Sequence, residues 1–311
     1  MAGPAPIAAV VGPTGSGKTE LSLALARLFP IEILVADSRQ VYRGMDVGTA
    51  KPDAAARAAV PHHLLDLVAP GEPFSVAAWT TEARRVLGGV RDRGRLPLVV
   101  GGSGLYLAAL LDGYVFGAPP RPDLRTQLHR ELLDVGVGAL ADRLRSIDPA
   151  AAARTDLRNP RRIERALERA MAAPDRTATR PAAAPWSGPT VRLGIDRPAG
   201  LLNRRIDERA RWLFGNGLIE EVRALLDAGH DPHRSPLTSH GYGEAARHLA
   251  GEWSLEEAVA VTARRTRQYA KRQRTWFRRD RRVVWLAAGE APGDDPALVA
   301  QAERLLGELL R

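Results

Sequence analysis

The sequence predicts an α/β fold, a parallel sheet flanked by helices with an all-helical subdomain inserted into it, and three observations carry that reading. Short apolar runs of strand length alternate with helical periodicity from Ile7 to Leu105 and return after Val191. A glycine-rich turn follows the first run directly. From Asp123 to about Ala173 only helical periodicity is present, between two proline-rich passages.

The first strand is Ile7 to Val11, and behind it stands Gly12-Pro13-Thr14-Gly15-Ser16-Gly17-Lys18-Thr19, which satisfies G-x-x-x-x-G-K-[ST]. The glycines let consecutive backbone N–H groups point at phosphate oxygens from a helix N-terminus. Lys18 supplies a point charge, and the Thr19 hydroxyl is a ligand type suited to Mg2+. Only three of the 45 basic residues are lysine, so a lysine at this place marks a position where a planar guanidinium does not substitute. The surroundings predict a P-loop NTPase-like sheet.

Lys18 to Leu28 reads as a helix with Leu21, Leu25 and Leu28 on one side, and Ile33 to Ala36 as a second strand ending at Asp37. Val76, Trp79, Ala83, Val86, Leu87 and Val90 recur at steps of three and four, an amphipathic helix entered through Pro73 and Ser75. Leu96 to Val100 is a third strand, followed by Gly101-Gly102-Ser103-Gly104 and a helix from Leu105. In a parallel sheet the strand C-termini gather ligands, so Asp37, Ser103 and the phosphate loop are expected on one rim.

The pattern breaks at Gly117-Ala118-Pro119-Pro120-Arg121-Pro122, and a second break runs from Pro174 to Pro189. The expected division is a core of residues 1–117 and 190–311 with a helical insertion of residues 118–189. After the strand Val191 to Ile195, Leu201 to Phe214 and Leu218 to Leu226 read as helices, a long helix starts near Leu255, and Val283 to Leu286 and Ala297 to Leu310 close the chain as strand and helix. His62 and His63 are adjacent, so on a strand they point to opposite faces, and packing with local hydrogen bonding is expected rather than a metal pair.

Composition narrows the class. There is no cysteine, which excludes disulfides and thiolate metal sites. No uncharged apolar run approaches bilayer-spanning length and no signal peptide is read at the N-terminus, so a cytoplasmic protein without a membrane partner is expected. The net charge is +9, and the tract Arg264 to Arg282 holds ten basic residues against one acid, Asp280. Arg264, Arg267, Lys271, Arg274 and Arg278 fall at helical steps as one cationic stripe, the footprint of a polyanion partner. Tyr269 and Trp276 share another face, suited to core packing or to stacking on bases.

A carboxylate at a strand end facing a phosphate loop either helps to hold Mg2+ or takes a proton from an acceptor. With further motifs the sequence resembles the tRNA dimethylallyltransferases. The resemblance rests on Gly12 to Thr19, Asp37-Ser38, Gly48-Thr49-Ala50-Lys51-Pro52, His62-His63-Leu64-Leu65-Asp66, Val100 to Tyr106, Arg162 with Arg165 to Glu168, Gly241-Tyr242, and Arg267 to Gln273. These motifs extend over nearly the whole chain, and all three lysines fall inside them.

The resemblance implies transfer of a dimethylallyl group from dimethylallyl diphosphate to N6 of the adenosine at tRNA position 37, just 3′ of the anticodon, by a Mg2+-dependent monomer. It implies Asp37 as acceptor of the amine proton, Lys18 and Thr14 as catalytic groups on the diphosphate, and Thr19 as the metal ligand. tRNA contacts are implied at Asp37, Ser38, Arg39 and Gln40, at Ser103 and Arg125, and at Arg161, Arg162, Ile163, Glu164 and Arg165 on the insertion, which would meet the anticodon stem-loop. Thr238, Ser239, His240, Gly241 and Tyr242 complete that set with Arg267, Lys271 and Arg274 of the basic helix. Ser103 stands where threonine is usual and keeps the hydroxyl. Two other classes share features of the chain: a small-molecule or nucleotide kinase, which would have no need of the basic tract, and an RNA-binding protein whose loop senses nucleotide.

Overall fold

The computed structural model describes residues 5–114, 122–171, 184–290 and 292–311. The break from Gly117 to Arg121 and the proline-rich passage as far as Ala183 lie outside the described residues. The chain divides into two compact units, residues 1–112 with 186–311, and residues 113–185. The boundaries thus fall a few residues before the expected ones.

The larger unit is a six-stranded sheet in the order β3-β2-β4-β1-β5-β6, with every pairing parallel. Its first half is β1 (Ile7–Val11), α1 (Lys18–Leu28), β2 (Ile31–Val35), α2 (Ala54–Ala59), β3 (His62–His63), α3 (Val76–Asp92), β4 (Leu96–Gly101) and α4 (Gly104–Leu111). The smaller unit is helical, with α5 (Pro122–Ile147), α6 (Pro149–Arg154) and α7 (Pro160–Met171). The larger unit resumes with β5 (Thr190–Asp196), α8 (Ala199–Gly215), α9 (Leu218–Asp227), α10 (Tyr242–Leu249), α11 (Leu255–Arg278), β6 (Val283–Ala287) and α12 (Pro296–Leu310).

The period of two in a strand decides which residues serve which layer. Along β1, Ile7, Ala9 and Val11 pack into one core with residues of α3, α4, α9 and α10, while Ala8 and Val10 face a second core with α1 and α12. Both faces are covered, so the strand reads as an unbroken apolar run. Trp79 is fully buried and donates its indole N–H to the Val35 carbonyl at 3.2 Å, tying α3 to the end of β2.

Helix starts follow local chemistry. Ser75 caps α3 by accepting the Ala78 N–H. Ser254 and Glu257 exchange hydrogen bonds at the start of α11, a capping box that sets its first residue at Leu255. β1 sits at the centre of the sheet, with β4 on one side and β5 on the other. Connections leave in opposite directions around it, which opens a crevice at the strand C-termini where the phosphate loop lies.

In the smaller unit Leu124, Leu128, Leu140, Leu144, Ile163 and Leu167 form the core, as their spacing predicts. His62 and His63 hydrogen-bond locally: His62 Nδ1 lies 2.9 Å from the Val60 carbonyl, and His63 Nε2 lies 2.7 Å from Glu32. Among the described residues no cluster of three metal-ligating side chains occurs.

Candidate active site

Gly12, Gly15 and Gly17 all have positive φ, of 147°, 78° and 102°, which L side chains adopt only with strain and which the loop needs to curl its amides inward. Lys18 Nζ lies against the loop, donating to the Gly12 and Pro13 carbonyls at 3.1 and 2.8 Å. Burial of its ammonium lowers the pKa to about 8, against the opposing pull of Asp37.

The loop opens on a cleft of about 550 Å³ whose walls include Thr14, Lys18, Thr19, Asp37, Gln40 and Tyr269. The expected rim is therefore formed. Ser103 donates its N–H to the Ala36 carbonyl at 3.2 Å and accepts the Ser38 N–H on its hydroxyl at 3.2 Å, which locks the ends of β4 and β2 together. Asp37 accepts the Arg39 N–H at 2.8 Å. Tyr269 lines the cleft, and burial pushes its hydroxyl pKa up to about 12, so it stays protonated near the Asp37 carboxylate.

Thr19 is exposed in the cleft, and its hydroxyl makes no hydrogen bond among the described residues. Mg2+ takes few protein ligands when it is shared with phosphates. The exposed Thr19 hydroxyl, at a cleft with no metal-ligating cluster among the described residues, fits that donor set. Asp46 is committed elsewhere: it pairs with Lys51 at 2.6 Å, and Lys51 also reaches Asp66 at 2.5 Å and the Tyr42 carbonyl at 2.6 Å.

Three site groups were not among the expected ones: two come from α8, where none was expected, and one from α11, whose cations were expected to meet tRNA. Arg205 and Arg209, one turn apart on α8, both line the cleft. Arg205 donates to the Gly15 carbonyl at 3.0 Å and to Glu20 at 3.3 Å. Arg209 makes no hydrogen bond among the described residues and shares the cleft with Asp37, and burial lowers its pKa against the pull of that carboxylate. The third is Gln273 of α11, which accepts the Thr14 N–H. Basic residues four apart on a helix were the available signal for the arginines, lost in a chain with so many.

Several expected tRNA contacts have other employment. Ile163 is fully buried in the core of the smaller unit, and Glu164 pairs with His129 at 3.0 Å. Arg125 pairs with Glu168 at 2.8 Å. Arg161, Arg162 and Arg165 are exposed on α7. Tyr242 is 1% exposed and gives its hydroxyl to Glu221 at 2.5 Å, so it offers no ring to RNA. Gly241 is buried at the start of α10 and donates to Glu244 at 2.8 Å. Thr238, Ser239 and His240 are half-buried, and the His240 ring is 5.5 Å from that of Tyr269. Burial holds His240 neutral, with a pKa of about 4. Arg39 reaches Ser235 at 3.1 Å, and Gln40 donates to the Thr49 and Ala50 carbonyls at 3.1 and 3.2 Å.

The basic tract is half neutralised within the fold. Arg265 pairs with Glu244, Arg267 with Asp207, and Arg274 and Arg278 with Asp196 at 3.1 and 2.9 Å. Arg282 joins the buried Arg192 on Asp112 and Asp280. Asp196 and Asp207 come from distant parts of the sequence, and they neutralise three of the five stripe cations, Arg267, Arg274 and Arg278. Arg264, Lys271, Arg272, Arg279 and Arg281 are exposed without an acidic partner among the described residues. On α11 three of these, Arg264, Lys271 and Arg272, share a face with Gln268 and Thr275, and Trp276, 46% exposed, borders it. Tyr269 instead lines the cleft.

The IPP transferase family matches residues 40–280 of the chain, and the isopentenyl transferase family matches residues 5–60. A tRNA dimethylallyltransferase of Syntrophobacter fumaroxidans is 43% identical over 98% of this chain and 90% of its own length. One from Anaeromyxobacter dehalogenans is 46% identical over 95% and 98%. The crystal structure of a tRNA isopentenylpyrophosphate transferase from Bacillus halodurans has a TM-score of 0.73 at 37% identity, covering 98% of this chain and 96% of that one. A eukaryotic dimethylallyltransferase acting on tRNA has a TM-score of 0.72 at 25% identity, covering 92% and 74%. With relatives matched over nearly its full length and a family match across more than half of its residues, this chain belongs to the tRNA dimethylallyltransferase family.

Proposed function

We propose that the protein transfers the dimethylallyl group of dimethylallyl diphosphate to N6 of adenosine 37 in the anticodon loop of tRNA. The observation that carries this is one cleft holding both the phosphate loop with Lys18 and the Asp37 carboxylate, in a chain whose relatives are named for this transfer. A kinase shares the loop, but the exposed cations of α11 and α7 are better matched to a polyanionic acceptor.

The adenine amine is a weak nucleophile because its lone pair is delocalised into the ring. The allylic C–O bond must therefore weaken early, with charge building on the departing diphosphate. The loop amides, with Lys18 and Arg209 of the same cleft, would take up that charge. As the C–N bond forms, the amine proton passes to Asp37 and diphosphate leaves. Thr19 would hold Mg2+, which when bound adds positive charge at the leaving group. A base stacked in the anticodon loop must be extruded to reach this depth. Gln40, fixed by two carbonyls, and Ser103 with Tyr269 line the approach to Asp37. The proposed form is a monomer acting in the cytoplasm, where tRNA resides.

The test incubates the purified protein with Mg2+ and unmodified tRNA, with dimethylallyl diphosphate in one tube and ATP in another, then weighs the digested nucleosides. A gain of one dimethylallyl unit on adenosine in the first tube is expected. No gain there, with ATP consumed in the second, would indicate a kinase.

A further inference from the structure

Behind the phosphate loop lies a second cation. Arg197 follows β5 directly and is 1% exposed. Its Nε donates to the Ser16 carbonyl at 2.8 Å, and Nη1 donates to the Gly289 carbonyl at 2.7 Å. Among the described residues Nη2 has no hydrogen-bond partner, nor has the buried hydroxyl of Ser16. Nη2 stands 3.3 Å from where a Cβ on Gly17 would be, so the guanidinium touches the loop at the residue that opens α1.

No carboxylate among the described residues lies within ion-pair distance of it. Asp196, its chain neighbour, is taken by Arg274 and Arg278, and Glu20 is taken by Arg205. Burial depresses its pKa, and the nearby charge of Arg205 adds to that. A buried charge is ordinarily paired. Carbonyls alone satisfy this one only in part, and a hydrophobic side chain of similar size would fill the space at lower electrostatic cost.

We propose that Arg197 is a buried counter-charge for the bound diphosphate, completing its ion pair across the loop backbone instead of through direct contact. On the front of the loop the amides and Lys18 meet the anion; at the back, Arg197 holds the Ser16 carbonyl and adds a charge that water does not screen. The Gly293 backbone closes the rear of Gly17, where a Cβ on Gly293 would lie 2.1 Å from the Gly17 oxygen, which keeps solvent away from the guanidinium. The inference rests on the reading of the loop as a diphosphate site.

The experiment measures inorganic pyrophosphate binding by calorimetry, and thermal unfolding with and without it, for the full chain and for Arg197→Met and Arg197→Lys. Arg197→Met is expected to bind pyrophosphate about tenfold more weakly than the parent and to lose most of the ligand-induced rise in Tm, beyond any loss of stability from the Ser16 and Gly289 carbonyls it leaves unpaired. Arg197→Lys, which keeps the charge, should recover much of the affinity. If Arg197→Met does not fold, Arg197→Gln, which keeps a donor for Ser16, makes the same comparison. A neutral variant that is less stable yet binds pyrophosphate as the parent does would reduce Arg197 to a structural tie and overturn the proposal. Absence of binding by the parent itself would instead overturn the diphosphate reading of the loop, and this assignment with it.

Discussion

Gln273 accepts the Thr14 N–H at 2.9 Å while donating its own amide to the Gly102 carbonyl at 3.0 Å. One side chain on the basic helix thereby joins the phosphate loop to the turn after β4. It is 7% exposed, so both backbone groups lose their partner if it is cut back. Gln273→Ala should cost about 1–3 kcal/mol of stability for each group left unpaired. Pyrophosphate affinity should fall with it, because Thr14 loses its orientation. Denaturant unfolding and a pyrophosphate titration of the same variant check both.

Glu221 organises the segment after Asp37 in a similar way. Its carboxylate accepts the N–H groups of Asp46, Val47 and Gly48 at 2.8, 2.7 and 3.2 Å, besides the Tyr242 hydroxyl. The Tyr242 ring lies so close to Gly48 that a Cβ there would sit 2.3 Å from it. Glu221→Gln should lower stability by about 1–3 kcal/mol and slow transfer to tRNA. Because Glu221 does not line the cleft, pyrophosphate binding should persist. A variant that loses both together would show that the clamp supports the whole fold.

Lys18 gives a pH dependence with a definite sign. With its pKa lowered to about 8, the unliganded loop loses the ammonium as pH rises through that value, whereas a bound diphosphate favours the protonated form. Binding near pH 8.5 should therefore take up a proton, and affinity should decline above pH 8 by up to about tenfold per unit. Calorimetry in two buffers of different ionisation enthalpy measures the uptake directly; the same apparent enthalpy in both would contradict it.

The division of the basic tract separates two kinds of arginine and lysine. Lys271→Ala removes an exposed cation and should weaken tRNA binding while reducing the slope of log affinity against log salt by about 0.7–0.9. Arg274→Ala removes a partner of Asp196 and should change stability more than that slope. Filter binding across a salt series, beside thermal unfolding, distinguishes the two.

Much of this was legible in sequence because the chemistry was local. The phosphate loop, Asp37 at the end of β2, and Ser103 after β4 each sit within a few residues of an apolar run, so the parallel-sheet rule alone placed them together. β3 was hidden because His62 and His63 make a two-residue strand with no apolar run, and α2 because its alanine-rich turn buries nothing. α10 was masked by the glycines at 241 and 243. The acids that neutralise Arg267 and Arg274 lie about sixty and eighty residues away, and Arg197 is an ordinary arginine in sequence. Only the packing shows that its charge has no acidic partner among the described residues.

The central claim is that Asp37 accepts the proton released by an amine attacking across the phosphate loop. It is tested most directly by a single-turnover comparison of Asp37→Asn with the parent at saturating dimethylallyl diphosphate and tRNA, with pyrophosphate affinity measured on both. The account predicts a loss of about 10²- to 10⁴-fold in the transfer rate with pyrophosphate binding retained. An Asp37→Asn protein that modifies tRNA at the parental rate would contradict it.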